Sequence, residues 1–405
     1  MKANSQNTVE VADVGVARKQ SAARARDEVT MPTGEAKRLH GWAGIGLIAV
    51  TYVYFLIFAQ LGFLKRLLEC GVTGNGLKAV MGAMAAGGIL ASLTMFRLEG
   101  RVTPVRRMRF AFALCAAGAL LTLPPLDLVG GMALAALIGL GLGCLTVTLV
   151  THLHLWIGSR RALLKMGVAV GFAYLVCNDP GLFQASTAFV AVFSGVICVV
   201  GILLAGLTTN DDVAELVKPE PGTAPYFLPV LIGFTALIWL DSAAFYIIQN
   251  TPSLKAGTWE GSHRLWQNGG VHVIAAVVGA LVLGRWGLTV TLGVAFGLLG
   301  AACLLLGWAD GAVAASVAYP AGVSVYSVAL VAYPAYLAGM HAARDRAWRA
   351  GWLYAVAGWL GSGLGIIVAT DLQRIPPMIV VGAALVFFVS LVWMRVRRFT
   401  QPTRL

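Results

Sequence analysis

Charge is scarce in this chain. Asp, Glu, Lys and Arg together make up 12% of its 405 residues, about half of what a soluble domain carries, and such a surface does not suit a water-exposed globule. Cysteine is sparse as well. The six, Cys70, Cys115, Cys144, Cys177, Cys198 and Cys303, fall on separate segments without a CxxC pair, which excludes a disulfide framework and a cysteine zinc site. No phosphate-cradling GxxxxGK[ST] loop and no HExxH run occurs, so nucleotide hydrolysis and zincin chemistry are excluded. No cofactor is expected, and the chain does not read as an enzyme.

Apolar sequence is what the chain has in quantity. Hydrophobic residues account for 58% and glycine for 48 positions. About 20 consecutive apolar residues make one membrane-crossing helix, and twelve such runs can be placed: 42–64, 77–97, 108–126, 131–156, 162–178, 183–206, 226–250, 264–285, 288–308, 312–338, 347–370 and 377–394. The fold class is therefore an all-α polytopic membrane protein. With loops assigned alternately from an inward amino terminus, 24 of the 30 Lys and Arg residues fall inside and six outside (Lys65, Arg66, Lys78, Lys255, Arg264, Arg374). This bias puts both termini in the cytoplasm. The net charge of +12 is thus a matter of topology, with membrane lipids as partners and no nucleic acid. Short loops and the lack of a targeting signal point to a bacterial inner membrane, and nothing calls for more than a monomer.

Polar stretches divide the chain. Residues 1–40, with "ARKQSAARARDEV", read as a disordered cytoplasmic tail. Residues 207–225 form a central cytoplasmic loop between a six-helix bundle at 41–206 and another at 226–394, and 395–405 is a basic tail. "AQLGFLK" (59–65) and "IQNTPSLK" (248–255) close the first helix of each half in similar fashion, as parallel repeats would. Every third helix is plain: "LTVTLGVAFGLLGAACLLLGW" (288–308) and "MIVVGAALVFFVSLVW" (378–393) carry almost nothing able to bind a solute, whereas helices 1, 4, 5, 7, 8 and 10 hold Tyr, Gln, His, Asn and Asp at membrane depth. The plain helices then face lipid and the others surround a polar path.

Twelve helices in two halves, inward termini and plain third helices together resemble the major facilitator superfamily of secondary transporters over about residues 40–395. The superfamily's loop between helices 2 and 3, of the type Gly-x-Leu-x-Asp-Arg-x-Gly-Arg-Arg, has a counterpart in "ASLTMFRLEGRVTPVRR" (91–107), with Arg97, Arg101, Arg106 and Arg107 present and Met95 near the place of the Asp. The second-half counterpart "GALVLGRWG" (279–287) keeps Gly279, Leu281, Arg285 and Gly287, again without the acid. Gating salt links in the superfamily often use that missing Asp.

The resemblance implies a small-molecule substrate moved by alternating access, and the residues suggest proton coupling. Asp241, in "WLDSAAFYIIQN" (239–250), is an acid within an apolar run, a placement costing about 2.5–3.5 kcal/mol unless a partner, water or a proton relieves it. His272 lies at similar depth on the next helix, so the two are candidate proton-coupling residues. Tyr319, Tyr326 and Tyr333 recur every seven residues on one stripe. Tyr326 and Tyr333, with Tyr52, Gln60, Gln249, Asn250 and Asn268, are candidate substrate-binding residues; the alternative for each is interhelical hydrogen bonding. Asp179 in "CNDPG" reads as a capping acid. His152 and His154, two apart, point away from one another and suit no shared metal. Gly139/Gly143, Gly167/Gly171 and Gly361/Gly365, with Gly351 and Gly358, mark close helix approach. Two other functions fit the same fold: a copper or other metal importer, for which Met81, Met84, Met340 and His341 are the ligand candidates, and a membrane receptor that transports nothing.

Overall fold

The computed structural model describes residues 34–208, 227–308, 311–339, 342–370, 372 and 374–399. The expectations for the first 33 residues, for most of the central loop, for Met340 and His341 and for the last six residues lie outside these. Within them the chain is helical from end to end. Labelled in chain order, the membrane helices are α1 (Gly41–Glu69), α2 (Gly74–Leu98), α3 (Pro104–Leu120), α4 (Leu128–Thr151), α5 (Ala162–Cys177), α6 (Thr187–Leu204), α7 (Phe227–Asn250), α8 (262–286), α9 (288–305), α10 (Ala312–Leu337), α11 (Ala343–Ala369) and α12 (Pro377–Phe399). A helix satisfies its own backbone polar groups, which is why apolar runs of this length fold this way in lipid.

Local chemistry sets the ends. Asp127 caps α4 by accepting from Gly130 N (2.7 Å), Ser186 caps α6 by accepting from Phe189 N (3.3 Å), and Thr103 accepts from Arg106 N (3.4 Å) ahead of Pro104 at the first position of α3. That last cap corrects the expected start of the third helix. Arg106, Arg107 and Arg109 belong to the first turns of α3, while Arg97 lies at the end of α2 and Arg101 in the turn between them, and α3 ends at Leu120 ahead of the pair Pro124 and Pro125. Ser262–Leu305 runs as 44 residues, broken at Gly287, whose φ of 77° turns the chain between α8 and α9. The fourth apolar run also breaks, since α4 stops at Thr151 and a separate turn, His154–Ile157, follows.

The helices form two six-helix bundles. In the first, α4 packs on α2 and α3, while α6 packs on α3 and α1; in the second, α7 packs on α11 and α12, and α10 on the α8–α9 pair. The bundles meet along α5 with α8 and α2 with α11. Small residues make these seams. A Cβ at Gly167 would collide with the Ala276 carbonyl and one at Gly351 with the Ser92 carbonyl, and inside the first bundle one at Gly139 would collide with the Met84 carbonyl. The glycine pattern is thus close packing at most expected positions; Gly358 is an exception, meeting only its own Tyr354. Val192, Val196 and Val199 on α6, and Leu385, Phe388 and Val389 on α12, point outward. Such plain helices form outer faces, and the polar central side chains described below come from α1, α5, α7, α8 and α10.

Candidate functional site

Asp241 sits on α7 with both carboxylate oxygens occupied. Tyr319 donates to Oδ1 (2.5 Å) and Tyr326 to Oδ2 (2.5 Å), and the Tyr319 hydroxyl also lies 3.2 Å from the Asp241 carbonyl. Seven residues of helix separate the two tyrosines by about 10 Å along α10, so their rings lean in from either side of the carboxylate. Two hydrogen bonds to a charged group contribute about 1.5–3 kcal/mol each, which is enough to offset the cost of a mid-membrane acid. Among the described residues no Lys, Arg or His forms an ion pair with Asp241.

His272 does not touch Asp241. Its Nδ1 is 2.7 Å from Ser324 Oγ and its ring stacks on Tyr174 with centroids 4.1 Å apart and planes 4° from parallel. Helix rise placed the two groups at one depth, but rotation about the helix axes directs them to different neighbours. α10 still connects them, through Ser324 to the histidine and Tyr326 to the acid. Tyr174 reaches further across the bundle seam, its hydroxyl 3.1 Å from Ser327 Oγ. Tyr52 packs edge-on against Tyr174 at 5.8 Å and beside Ser327.

The remaining candidates divide by position. Trp259, in the connection before α8, packs against Tyr319 (6.0 Å) and Phe245 (5.2 Å), making an aromatic roof between Asp241 and the α7–α8 connection. Asn268 holds that connection through Nδ2 to the Thr258 carbonyl (3.1 Å), while its buried Oδ1 and the buried Oε1 of Gln249 have no hydrogen-bond partner among the described residues. Asn250 is exposed and donates to the Tyr246 carbonyl (2.8 Å). Gln60 is half-buried on α1, about two turns beyond Tyr52. Tyr333 packs on Phe234 (6.3 Å) beside Arg349 at the basic end. Tyr52 and Tyr326 therefore stand at the centre with Asp241, and Gln249 and Asn268 lie toward the α7–α8 connection. Gln60, Asn250 and Tyr333 lie toward the two ends.

A second polar cluster lies at the basic end and was not legible as such. Glu99, four residues beyond Met95, forms an ion pair with Arg107 and sits 3.1 Å from His152 Nε2, which is also 2.9 Å from Arg107 Nη2. Burial works against charge on Glu99, but hydrogen bonds from His152 and Arg107 outweigh it and hold the carboxyl below its usual range. Burial likewise pushes His152 down, and His154 down to about 3. The second bundle closes over this end. Arg346 donates from Nε to the Thr151 carbonyl (3.3 Å) and Tyr336 donates to the Gly158 carbonyl (2.9 Å). Asp179 caps the turn Pro180–Phe183 as expected, accepting from Leu182 N at 2.9 Å.

No protein-family model matches the chain, and no curated protein matches it in sequence. Among solved structures it is similar to FucP, a major facilitator superfamily transporter in the outward conformation, with a TM-score of 0.58 and 15% identity over 89% of this chain and 99% of that one. The chain is thus an integral membrane protein with the major facilitator fold, the architecture that its twelve apolar runs and plain third helices resemble.

Proposed function

We propose that this chain is a secondary active transporter, moving a small solute across the membrane by alternating access and coupling that movement to protons through Asp241. One observation carries the reading: a carboxylate at membrane depth, held by the Tyr319 and Tyr326 hydroxyls with no basic partner among the described residues. An acid so placed can take up a proton when its surroundings change and release it on the other side. His272 is the second proton-coupling residue, joined to the same helix through Ser324. Tyr52 and Tyr326 contact the solute at the centre, and Gln249 and Asn268 meet it on the way in. Gln60, Asn250 and Tyr333 mark the outer and inner mouths.

FucP is a major facilitator superfamily transporter, which supports this reading of a chain with the same fold. The glycine-lined seams of α5 with α8 and α2 with α11 provide smooth surfaces on which one bundle can rock against the other. The charge bias favours both termini in the cytoplasm, and the short loops favour a bacterial inner membrane.

The test is solute accumulation in proteoliposomes under an imposed pH gradient, wild type against Asp241→Asn. The variant should fail to accumulate solute while still exchanging it across the membrane. Full accumulation by the variant would remove Asp241 from coupling.

A further inference from the structure

The surroundings of Asp241 also bear on what the solute is. The carboxylate is the charged group of the central site, and rings surround it: Tyr319 and Tyr326 bond it, Trp259 and Phe245 form the roof, and Tyr174 and Tyr52 lie across the seam. The buried polar atoms left without partners outward of it, Gln249 Oε1 and Asn268 Oδ1, are both acceptors. A site with acceptors to spare, one negative charge and several aromatic faces is complementary to a donor-bearing or permanently charged cation with an apolar body. An anion would meet the Asp241 charge with no cation to offset it. A sugar would need donors as well as acceptors, and the Tyr319 and Tyr326 hydroxyls nearest the charge are committed to Asp241.

We propose that the solute is an amphipathic organic ammonium ion, its charge paired with Asp241 and its apolar part packed against Trp259, Tyr319 and Tyr326. This rests on the transporter reading given above and deepens it. Ammonium and proton then compete for one carboxylate, so the chain exchanges them in opposite directions. The titratable groups facing Asp241 are Tyr319 and Tyr326 from α10, Cys303 from α9 and Tyr174 from α5. At this site the carboxylate is the group that an ammonium ion and a proton can each neutralise in turn.

The test uses the full-length chain purified in detergent and calorimetric titration with four probes: phenyltrimethylammonium, choline, benzoate and glucose. Phenyltrimethylammonium cannot lose its charge, so any pH dependence belongs to the protein. It should bind, with choline weaker by about tenfold for want of a ring to pack. Its affinity should fall by about tenfold or more in Asp241→Asn and severalfold in Trp259→Ala, and should persist in Asp241→Glu, which keeps the charge if the Asn variant folds poorly. Affinity should also weaken in the wild type as pH is lowered and protons compete for the carboxylate. Failure of phenyltrimethylammonium to bind, equal binding by Asp241→Asn, or preference for benzoate or glucose would overturn the proposal. Proteoliposomes separate this from the parent reading. Proton-driven movement of glucose or benzoate without phenyltrimethylammonium exchange would sink the cation and keep the transporter. Asp241-dependent binding of phenyltrimethylammonium without flux of any probe would keep the cation site and sink transport.

Discussion

Tyr174 lies flat on His272, with ring centroids 4.1 Å apart and planes within 4°, and the two residues belong to different bundles. The stack is extended by Tyr174 to Ser327 and by His272 to Ser324, so one pair of rings anchors the α5–α8 seam to α10. Because both bundles contribute, the interaction must be remade or carried along whenever they move.

Tyr174→Phe keeps the ring and loses the Ser327 bond, so it should cost about 0.5–1.5 kcal/mol. His272→Ala also removes the stack and leaves Ser324 unpaired, and should cost more. Thermal unfolding of Tyr174→Ala, His272→Ala and the double variant measures the coupling between the two rings. Additive losses in that cycle would mean that the stack contributes nothing across the seam.

The glycines give a paired expectation. Gly139→Ala should destabilise the chain, because the added methyl meets the Met84 carbonyl, which belongs to backbone and cannot swing away. Gly293→Ala meets nothing within 4 Å on α9, and alanine in a helix interior is favoured over glycine by about 0.5–1 kcal/mol. That variant should be neutral or more stable. Equal melting shifts of one sign for the two would show that backbone propensity, not helix approach, governs these positions.

Much of this architecture was legible because a membrane helix announces itself by length and polarity. The break at Gly287 falls between runs already separated by Arg285, and Asp241 stood out because an acid in lipid is costly. What was not legible is direction around a helix axis. Depth arithmetic put His272 level with Asp241, yet the i, i+7 tyrosine stripe reaches the acid first, and of its three members Tyr333 is drawn to the basic end. Glu99 was missed for a different reason. Comparison with the loop motif looked for an acid at Met95, while the fold brings one in four residues later, where a turn at Gly100 (φ 78°) directs the chain toward α3.

The Glu99, Arg107 and His152 cluster should make the basic end sensitive to acid. Glu99 is held below its usual range in the folded chain, so its contribution is full above the unfolded value near 4.5 and is lost as pH falls through the folded one. His152 and His154 are held down by burial, so below about pH 6.5 the unfolded chain binds more protons and stability falls with pH. Both effects have the same sign. Melting temperature should drop between pH 7 and 5, and less steeply in His152→Gln. A parallel drop in the variant would assign the sensitivity elsewhere.

Closure of the basic end by Tyr336 and Arg346 yields the last expectation. Tyr336→Phe removes the hydrogen bond to the Gly158 carbonyl, worth about 1 kcal/mol, and that bond joins the second bundle to the loop after α4. If it forms only while this end is closed, its loss should shift the closed-to-open ratio by about fivefold toward open. Spin labels at the exposed positions Arg160 and Arg344 report the separation of the two bundles there. The distance distribution should gain a longer component in Tyr336→Phe and more of it when Arg346→Ala is added. An unchanged distribution in both variants would mean that these bonds follow closure without stabilising it, and would place the closing force in the packed seam of α2 with α11.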